Sequence, residues 1–140
     1  MFRKILVPID ESPIAAKAAG AAIDLARRYD AQLWAISVVP LPEYGGTLGE
    51  VKEVKREGEK RFALRLQEVK ARGQALGIEV KTELLYGHPA EAIIKYISKN
   101  GFDLVVVGYK GSSAIDRFLL GSVSSKVVHH APCSVILIKD

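Results

Sequence analysis

The feature that most limits what this chain can fold into is a strict alternation of short apolar runs with longer amphipathic ones. Five runs have strand length and strand-like composition: "KILVPI" (4–9), "QLWAISVV" (32–39), "IEVKTELLY" (78–86), "DLVVVG" (103–108) and the terminal "CSVILIKD". Four helical stretches separate them. Ser12 is placed as N-cap and Pro13 as first residue of a helix whose apolar positions Ile14, Ala18, Ala21, Ala22, Leu25 and Tyr29 recur at helical spacing. A long charged helix over roughly 50–76 carries an inner stripe of Val51, Val54, Gly58, Phe62, Leu66, Val69, Gly73 and Leu76, with Gly77 as its stop. A third helix spans 88–100, with Pro89 near its start and Gly101 just past its end, and a fourth spans 122–131.

Strands alternating with helices make βαβ units and a parallel sheet. The fold class is therefore α/β: a doubly wound, Rossmann-like five-stranded parallel sheet, taken in the usual strand order 3-2-1-4-5. "DLVVVG" is the most hydrophobic run and belongs at the centre, covered on both faces. No linker, low-complexity segment or short repeat interrupts the 140 residues, so a single domain over 1–140 is expected.

The net charge of +4 raises the question of a nucleic-acid partner. Most lysines and arginines, however, lie in "EVKEVKREGEKRFALRLQEVKAR", interleaved with glutamates. Glu57–Arg61 and Glu68–Arg72 there have the spacing of i,i+4 pairs on a solvated face. No basic stripe with interleaved aromatics appears, so no nucleic-acid partner is expected. No apolar run approaches the roughly 18 residues of a membrane helix, and "MFRKILVPID" reaches proline and aspartate too soon for a signal peptide. The single cysteine, Cys133, excludes an internal disulfide, and a cytoplasmic location is expected.

Common nucleotide motifs are missing. There is no G-x-x-x-x-G-K-[ST], and the first strand runs into "PIDESP" without a glycine where a dinucleotide fold has G-x-G-x-x-G. Glycines follow the fourth strand instead, in "GYKGSSAIDRFLLGS". In the order 3-2-1-4-5 the chain reverses direction between strands 1 and 4, and a crevice opens at their carboxyl ends. Asp10 and Gly108 then face each other across it. Gly108 and Gly111 allow close approach of the backbone to an anion. Gly121 and Ser122 open a helix whose free N–H groups favour phosphate, and the Ser122 and Ser124 hydroxyls can donate further bonds. Asp10 suits a ribose hydroxyl or a metal on the phosphates. Lys110 and Lys126 are nearby cations without a fixed role. The competing reading is a loop turn at Gly108 and Gly111 with a simple N-cap at Ser122.

Taken together, "KILVPIDES", "GHPAEAI" and "GYKGSSAIDRFLLGSVSSKVVHHAPCSVILIK" resemble the universal stress protein family, and the resemblance covers essentially the whole chain. Members of its ATP-binding subgroup carry G-x2-G-x9-G-[S/T], which here reads Gly108, Gly111, Gly121 and Ser122 with both spacings intact. The resemblance implies ATP (or ADP or AMP) as ligand, with Mg²⁺ or Mn²⁺ on the phosphates. It implies Pro8, Ile9 and Asp10 beside ribose and adenine, and the backbone of Val38 against adenine. Val107, Gly108, Gly111, Gly121, Ser122, Val123 and Ser124 would line the phosphate side. It also implies a homodimer through the terminal strand, 133–139, whose bare apolar edge is suited to pairing. Ser134 stands where many relatives have proline.

The function expected is an ATP-binding, nucleotide-dependent stress-response regulator rather than a fast enzyme, because hydrolysis needs a group to orient water and Asp10 is the only carboxylate clearly at the crevice. Glu11 and Asp116 are further candidates without support. Two alternatives remain: a slow ATPase or phosphotransfer protein, with Ser122 or Ser124 accepting a phosphoryl group, and a partner-binding module with an unoccupied crevice. His129 and His130 complement the dipole at the end of the fourth helix, His88 caps the third, Trp34 and Phe62 read as core, and Tyr44 lies in an exposed loop. The histidines lack ligand spacing, so no metal site of the protein's own is expected.

Overall fold

In the computed structural model, which describes residues 1–41, 46–110 and 120–140, each apolar run is a strand and each amphipathic stretch a helix. The elements are β1 (Lys4–Pro8), α1 (Pro13–Tyr29), β2 (Gln32–Val39), α2 (Leu48–Ala75), β3 (Val80–Tyr86), α3 (Pro89–Asn100), β4 (Leu104–Gly108), α4 (Ser122–His130) and β5 (Ser134–Ile138). All strands are parallel, in the order β3-β2-β1-β4-β5. Gly111, Asp116 and Tyr44 lie outside the described residues.

The central strands alternate between two apolar layers, as a period of two requires. Ile5, Val7, Leu104 and Val106 pack with α1 and α2, while Leu6, Val105 and Val107 pack with α3 and α4. That two-sided burial explains the continuous run of β4. At the amino ends of the strands Asp103 ties β1 to β4: its carboxylate accepts the N–H of Arg3 (2.8 Å) and of Lys4 (3.1 Å).

The helix caps follow the sequence closely. Ser12 Oγ accepts the Ala15 N–H at 3.3 Å. A capping box between Thr47 and Glu50 starts α2 at Leu48. Gly101 closes α3 in the left-handed region (φ 68°). His88 occupies the N-cap position of α3, but its side chain makes no cap hydrogen bond.

Two faces differ from the sequence expectation. The buried side of α1 also takes in Ala15, Ala19, Ile23 and Ala26, while Tyr29 is exposed and meets Phe2 edge-on, with ring centroids 5.6 Å apart. Six alanines among its apolar positions make the face broad, so spacing alone leaves the helix's rotation open. In α2 only Gly58, Phe62, Leu66, Val69 and Gly73 are buried, and Val54 and Leu76 are exposed. A helix of 28 residues runs about 42 Å, whereas the eight residues of β2 run about 27 Å, so the ends of α2 overhang the sheet. Trp34 is half-buried rather than core, under the Lys4 and Lys81 ammoniums. Phe62 is buried.

The charged face of α2 is also used differently. Arg61 pairs with Glu11 (3.0 Å) and Arg72 donates to the Ala16 carbonyl (2.8 Å), so both reach across to α1 and its approach instead of to glutamates on their own helix. Arg65 pairs with Glu68 at 2.9 Å. The two glycines that bound the inner stripe let α2 lie close on the sheet: a Cβ on Gly58 would stand 2.8 Å from Val39 Cγ1, and one on Gly73 2.4 Å from Val80 Cγ2 and 2.9 Å from the Ile78 carbonyl oxygen.

Gly73→Ala is therefore expected to destabilise the fold by about 1–3 kcal/mol, since a backbone carbonyl cannot rotate away and overpacking outweighs the better helix propensity of alanine. Gly49→Ala, whose Cβ would meet only Thr47 Oγ1 at 3.8 Å, is expected to leave stability unchanged or raise it. Urea denaturation of both variants checks the pair; equal effects would refute the packing account.

Candidate functional site

Pairing in the middle of the sheet stops early. β1 and β4 are in register only at Ile5↔Leu104 and Leu6↔Val105, although both strands run on. Along β1 the backbone groups of alternate residues face opposite neighbours. Ile9 N–H donates to the Ile36 carbonyl (2.7 Å), on the β2 side, so Pro8 faces β4. A proline has no N–H to offer there, and the ladder ends without stranding a buried donor. Beyond that point β1 and β4 separate.

The gap between them is a cavity of about 240 Å³. Pro8, Ile9 and Asp10 line it from β1, Ile36, Val38 and Pro40 from β2, Val107, Gly108 and Lys110 from β4 and its end, and Ser122, Val123 and Ser124 from the start of α4. Ile14, Ala15, Phe62 and Ile93 close it with apolar surface from three helices. Of the eleven residues singled out in the sequence, nine line this space. Gly121 is buried just behind it as the N-cap of α4, and Gly111 lies outside the described residues. Ser12, Ile36, Pro40, Phe62, Pro89 and Ile93 also line it and were not foreseen as site residues; only tertiary packing brings them there.

One wall is a backbone edge. Registers with β1 end at Pro8↔Ile36, so Val38, which faces the same way as Ile36, has no β1 residue opposite. The buried Ser37 hydroxyl donates to the Ile9 carbonyl at 2.7 Å and satisfies the group that would otherwise have continued the ladder. Val38 thus offers an N–H and a C=O beside an apolar slot.

The opposite end is polar. Asp10 Oδ1 accepts the Ser12 N–H (2.8 Å) and the Ser12 hydroxyl, which fixes the carboxylate at the rim. Gly121 has an extended conformation (φ −63°, ψ 156°), and no side chain among the described residues caps α4. The first-turn N–H groups of Ser122, Val123 and Ser124 precede the first intrahelical bond, Ser125 N–H to the Gly121 carbonyl, and carry the positive end of the helix dipole. Ser122 is exposed, whereas the buried Ser124 spends its hydroxyl on the Gly108 carbonyl (2.5 Å). Lys110 Nζ sits 3.7 Å from Asp140 Oδ2 and over the Tyr109 ring; hydrogen bonding with Tyr109, opposed by desolvation and joined by the Tyr109 and Asp140 charges, pushes its pKa up. The Glu11 carboxylate is paired with Arg61. Asp10 is the one carboxylate on the cavity wall among the described residues. An apolar slot with a polar backbone edge, a carboxylate and a helix N-terminus can hold a flat apolar group at one end and an anion at the other.

Gly108 has a reason of its own. A Cβ there would stand 2.7 Å from Ile14 Cγ2 and 2.9 Å from Ile14 Cγ1, so its first role is to admit α1 against β4.

The universal stress protein family model matches residues 1–139. The chain belongs to this family. A universal stress protein of Methanocaldococcus jannaschii is 34% identical over 99% of this chain and 83% of its own length. Among solved structures of the family, UspA of Lactobacillus plantarum is 31% identical, covers 98% of this chain and 97% of its own, and superposes with a TM-score of 0.92. Two more distant solved structures share the fold. One is a universal stress protein in complex with cAMP (24% identity, TM-score 0.77, 98% and 97% covered). The other is an AMP-bound family member from Arabidopsis thaliana (18%, 0.69, 98% and 91%).

Gly108→Ala is expected to cost about 1–3 kcal/mol without any ligand present. In a double-mutant cycle with Ile14→Ala the two losses should fall short of additive, because removing Ile14's branches makes room for the new methyl. Additive losses by chemical denaturation would show that Gly108 does not act through Ile14.

Proposed function

We propose that this protein binds an adenosine phosphate, ATP foremost, in the crevice between β1 and β4, and acts as a nucleotide-dependent stress-response regulator. The observation that carries this reading is the N-terminus of α4, uncapped by any side chain among the described residues, facing a slot whose other end is apolar and bordered by the free edge of Val38. The family structures holding cAMP and AMP support an adenosine phosphate. The choice of the triphosphate rests on the spacing of Gly108, Gly111, Gly121 and Ser122.

In this reading adenine lies between Ile9 and Val38 and bonds the Val38 backbone, while Pro8 and Asp10 border the ribose. Val107, Gly108, Gly111, Gly121, Ser122, Val123 and Ser124 line the phosphates. Mg²⁺ or Mn²⁺ arrives on the phosphates, since no group of three or more acidic, histidine or cysteine side chains gathers to hold an ion among the described residues. Asp10 is occupied by Ser12 through Oδ1 and Glu11 by Arg61, which leaves the cavity wall poor in groups that could orient an attacking water. A binding protein with at most slow hydrolysis follows. A cytoplasmic setting accords with a lone cysteine.

A homodimer through β5 is part of the same proposal. Val135, Ile136, Leu137 and Ile138 are half-exposed on a strand at the end of the sheet. Tyr109 N–H donates to the Ile138 carbonyl, so Ile138 and Ile136 face β4 while Val135 and Leu137 present their backbone groups outward.

Saturating ATP with Mg²⁺ is expected to raise the thermal midpoint, by about 2.7 kcal/mol of stabilisation at a hundredfold excess over Kd. Asp10→Asn, which keeps an acceptor for Ser12, and Gly121→Val should each reduce that shift while circular dichroism stays unchanged. Absence of any shift, together with purified protein that carries no nucleotide, would refute the nucleotide reading; phosphate release abolished by Gly121→Val would instead make the protein an ATPase. For the dimer, Val135→Pro removes an outward N–H, together with part of the Val135 side chain's packing on the α3–α4 layer, and is expected to give a folded monomer by sedimentation. A folded dimer from that variant would exclude pairing through β5.

A further inference from the structure

A second surface feature lies away from the crevice, between α3 and α4. One face of α3 (Ala90, Glu91, Ile94, Lys95, Ser98, Lys99) and one of α4 (Lys126, His130) border an open groove of about 640 Å³. Lys95 and Lys99 are one helical turn apart on α3, as are Lys126 and His130 on α4, so basic residue types line both helices with steps of about 6 Å. None of the three lysines has an ion-pair partner among the described residues, unlike Arg61 and Arg65 of α2. Three lysines against Glu91 leave the groove at +2, half of the chain's net +4. Between the rows Ala90 and Ile94 supply apolar surface.

We propose that this groove docks an acidic, amphipathic helical segment of a partner protein. Carboxylates at i,i+4 on such a helix advance by the same roughly 6 Å as Lys95 and Lys99, and its apolar residues would cover Ile94 and Ala90. A nucleic-acid backbone fits less well: it brings nothing apolar to those two residues, and Glu91 repels phosphate. The cations set the rate of encounter and choice of partner more than the affinity, since each stands at a solvated rim. One end of the groove begins at Ala90, next to Pro89 of the crevice wall, so the docked segment would lie beside the helices that border the cavity.

The test uses the full chain and a labelled peptide with glutamates at i,i+4 flanking a leucine stripe, followed by fluorescence anisotropy at physiological salt. Changing Lys95, Lys99 and Lys126 together to glutamate is expected to weaken binding at least about tenfold. The same reversal at the exposed Lys52, Lys60 and Lys70 of α2, which changes net charge equally, should alter it less than about twofold. Ile94→Ser, neutral in charge, should also weaken it, with an unchanged circular dichroism spectrum confirming that each variant folds. No binding of the peptide, equal loss in both triple variants, no effect of Ile94→Ser, or tighter binding of a single-stranded oligonucleotide of equal charge would each overturn the proposal.

Discussion

A proline at the last position of a central strand governs the carboxyl end of this sheet. Pro8 faces β4, and its missing N–H lets the β1–β4 ladder end without burying an unpaired donor. On the other side of β1, the Ser37 hydroxyl satisfies the Ile9 carbonyl, so the β1–β2 ladder ends as cleanly and Val38 is left with a bare edge. Two local solutions to the same requirement, that buried backbone groups be bonded, open the crevice on both sides of β1. The reversal of chain direction between β1 and β4 supplies the space; these two residues make the space affordable in hydrogen bonds.

The start of α4 is then held at the rim by two main-chain bonds and one from a serine hydroxyl. Gly121 N–H donates to the Tyr109 carbonyl (2.8 Å), Tyr109 N–H to the Ile138 carbonyl (3.0 Å), and Ser124 Oγ to the Gly108 carbonyl. The start of α4 is thereby bonded to the end of β4 and, through it, to the edge strand. First-turn N–H groups aimed at a crevice are useful only if fixed before a ligand arrives, because ordering them on binding would cost affinity.

The fold was legible because its signals are local and mutually consistent: Ser12 with Pro13, Gly101 after α3, and the two-sided apolar run of β4. The rotation of α1 was not, since its many alanines give no sharp apolar stripe, and neither were the partners of Arg61 and Arg72, which lie on another element. Among site residues, Asp10, Gly108, Gly121, Ser122 and Ser124 followed from topology and glycine spacing, whereas Pro8, Ile9, Val38, Val107 and Val123 came only from the family resemblance. Phe62 and Ile93 followed from neither, because an apolar residue at helical spacing reads as core whether it faces the sheet or a cavity beside it. Gly108 shows the limit of motif reasoning. Its spacing to Gly121 points to an anion, yet the nearest obstacle to a side chain there is Ile14.

That double demand on Gly108 has a wider consequence for the family pattern in this chain. Gly58, Gly73 and Gly108 are all sites where a Cβ would strike a neighbouring side chain, so each is required by packing before any ligand is considered. Gly121 differs: its φ is negative and its backbone extended, a conformation open to any residue. Its N–H is bonded to Tyr109 and it caps a helix without a side chain of its own. A serine, aspartate or asparagine there would satisfy the first-turn N–H groups and fill the position an anion would take. Glycine at Gly121 is thus not dictated by its backbone angles, and it leaves the cap position of α4 without a side chain.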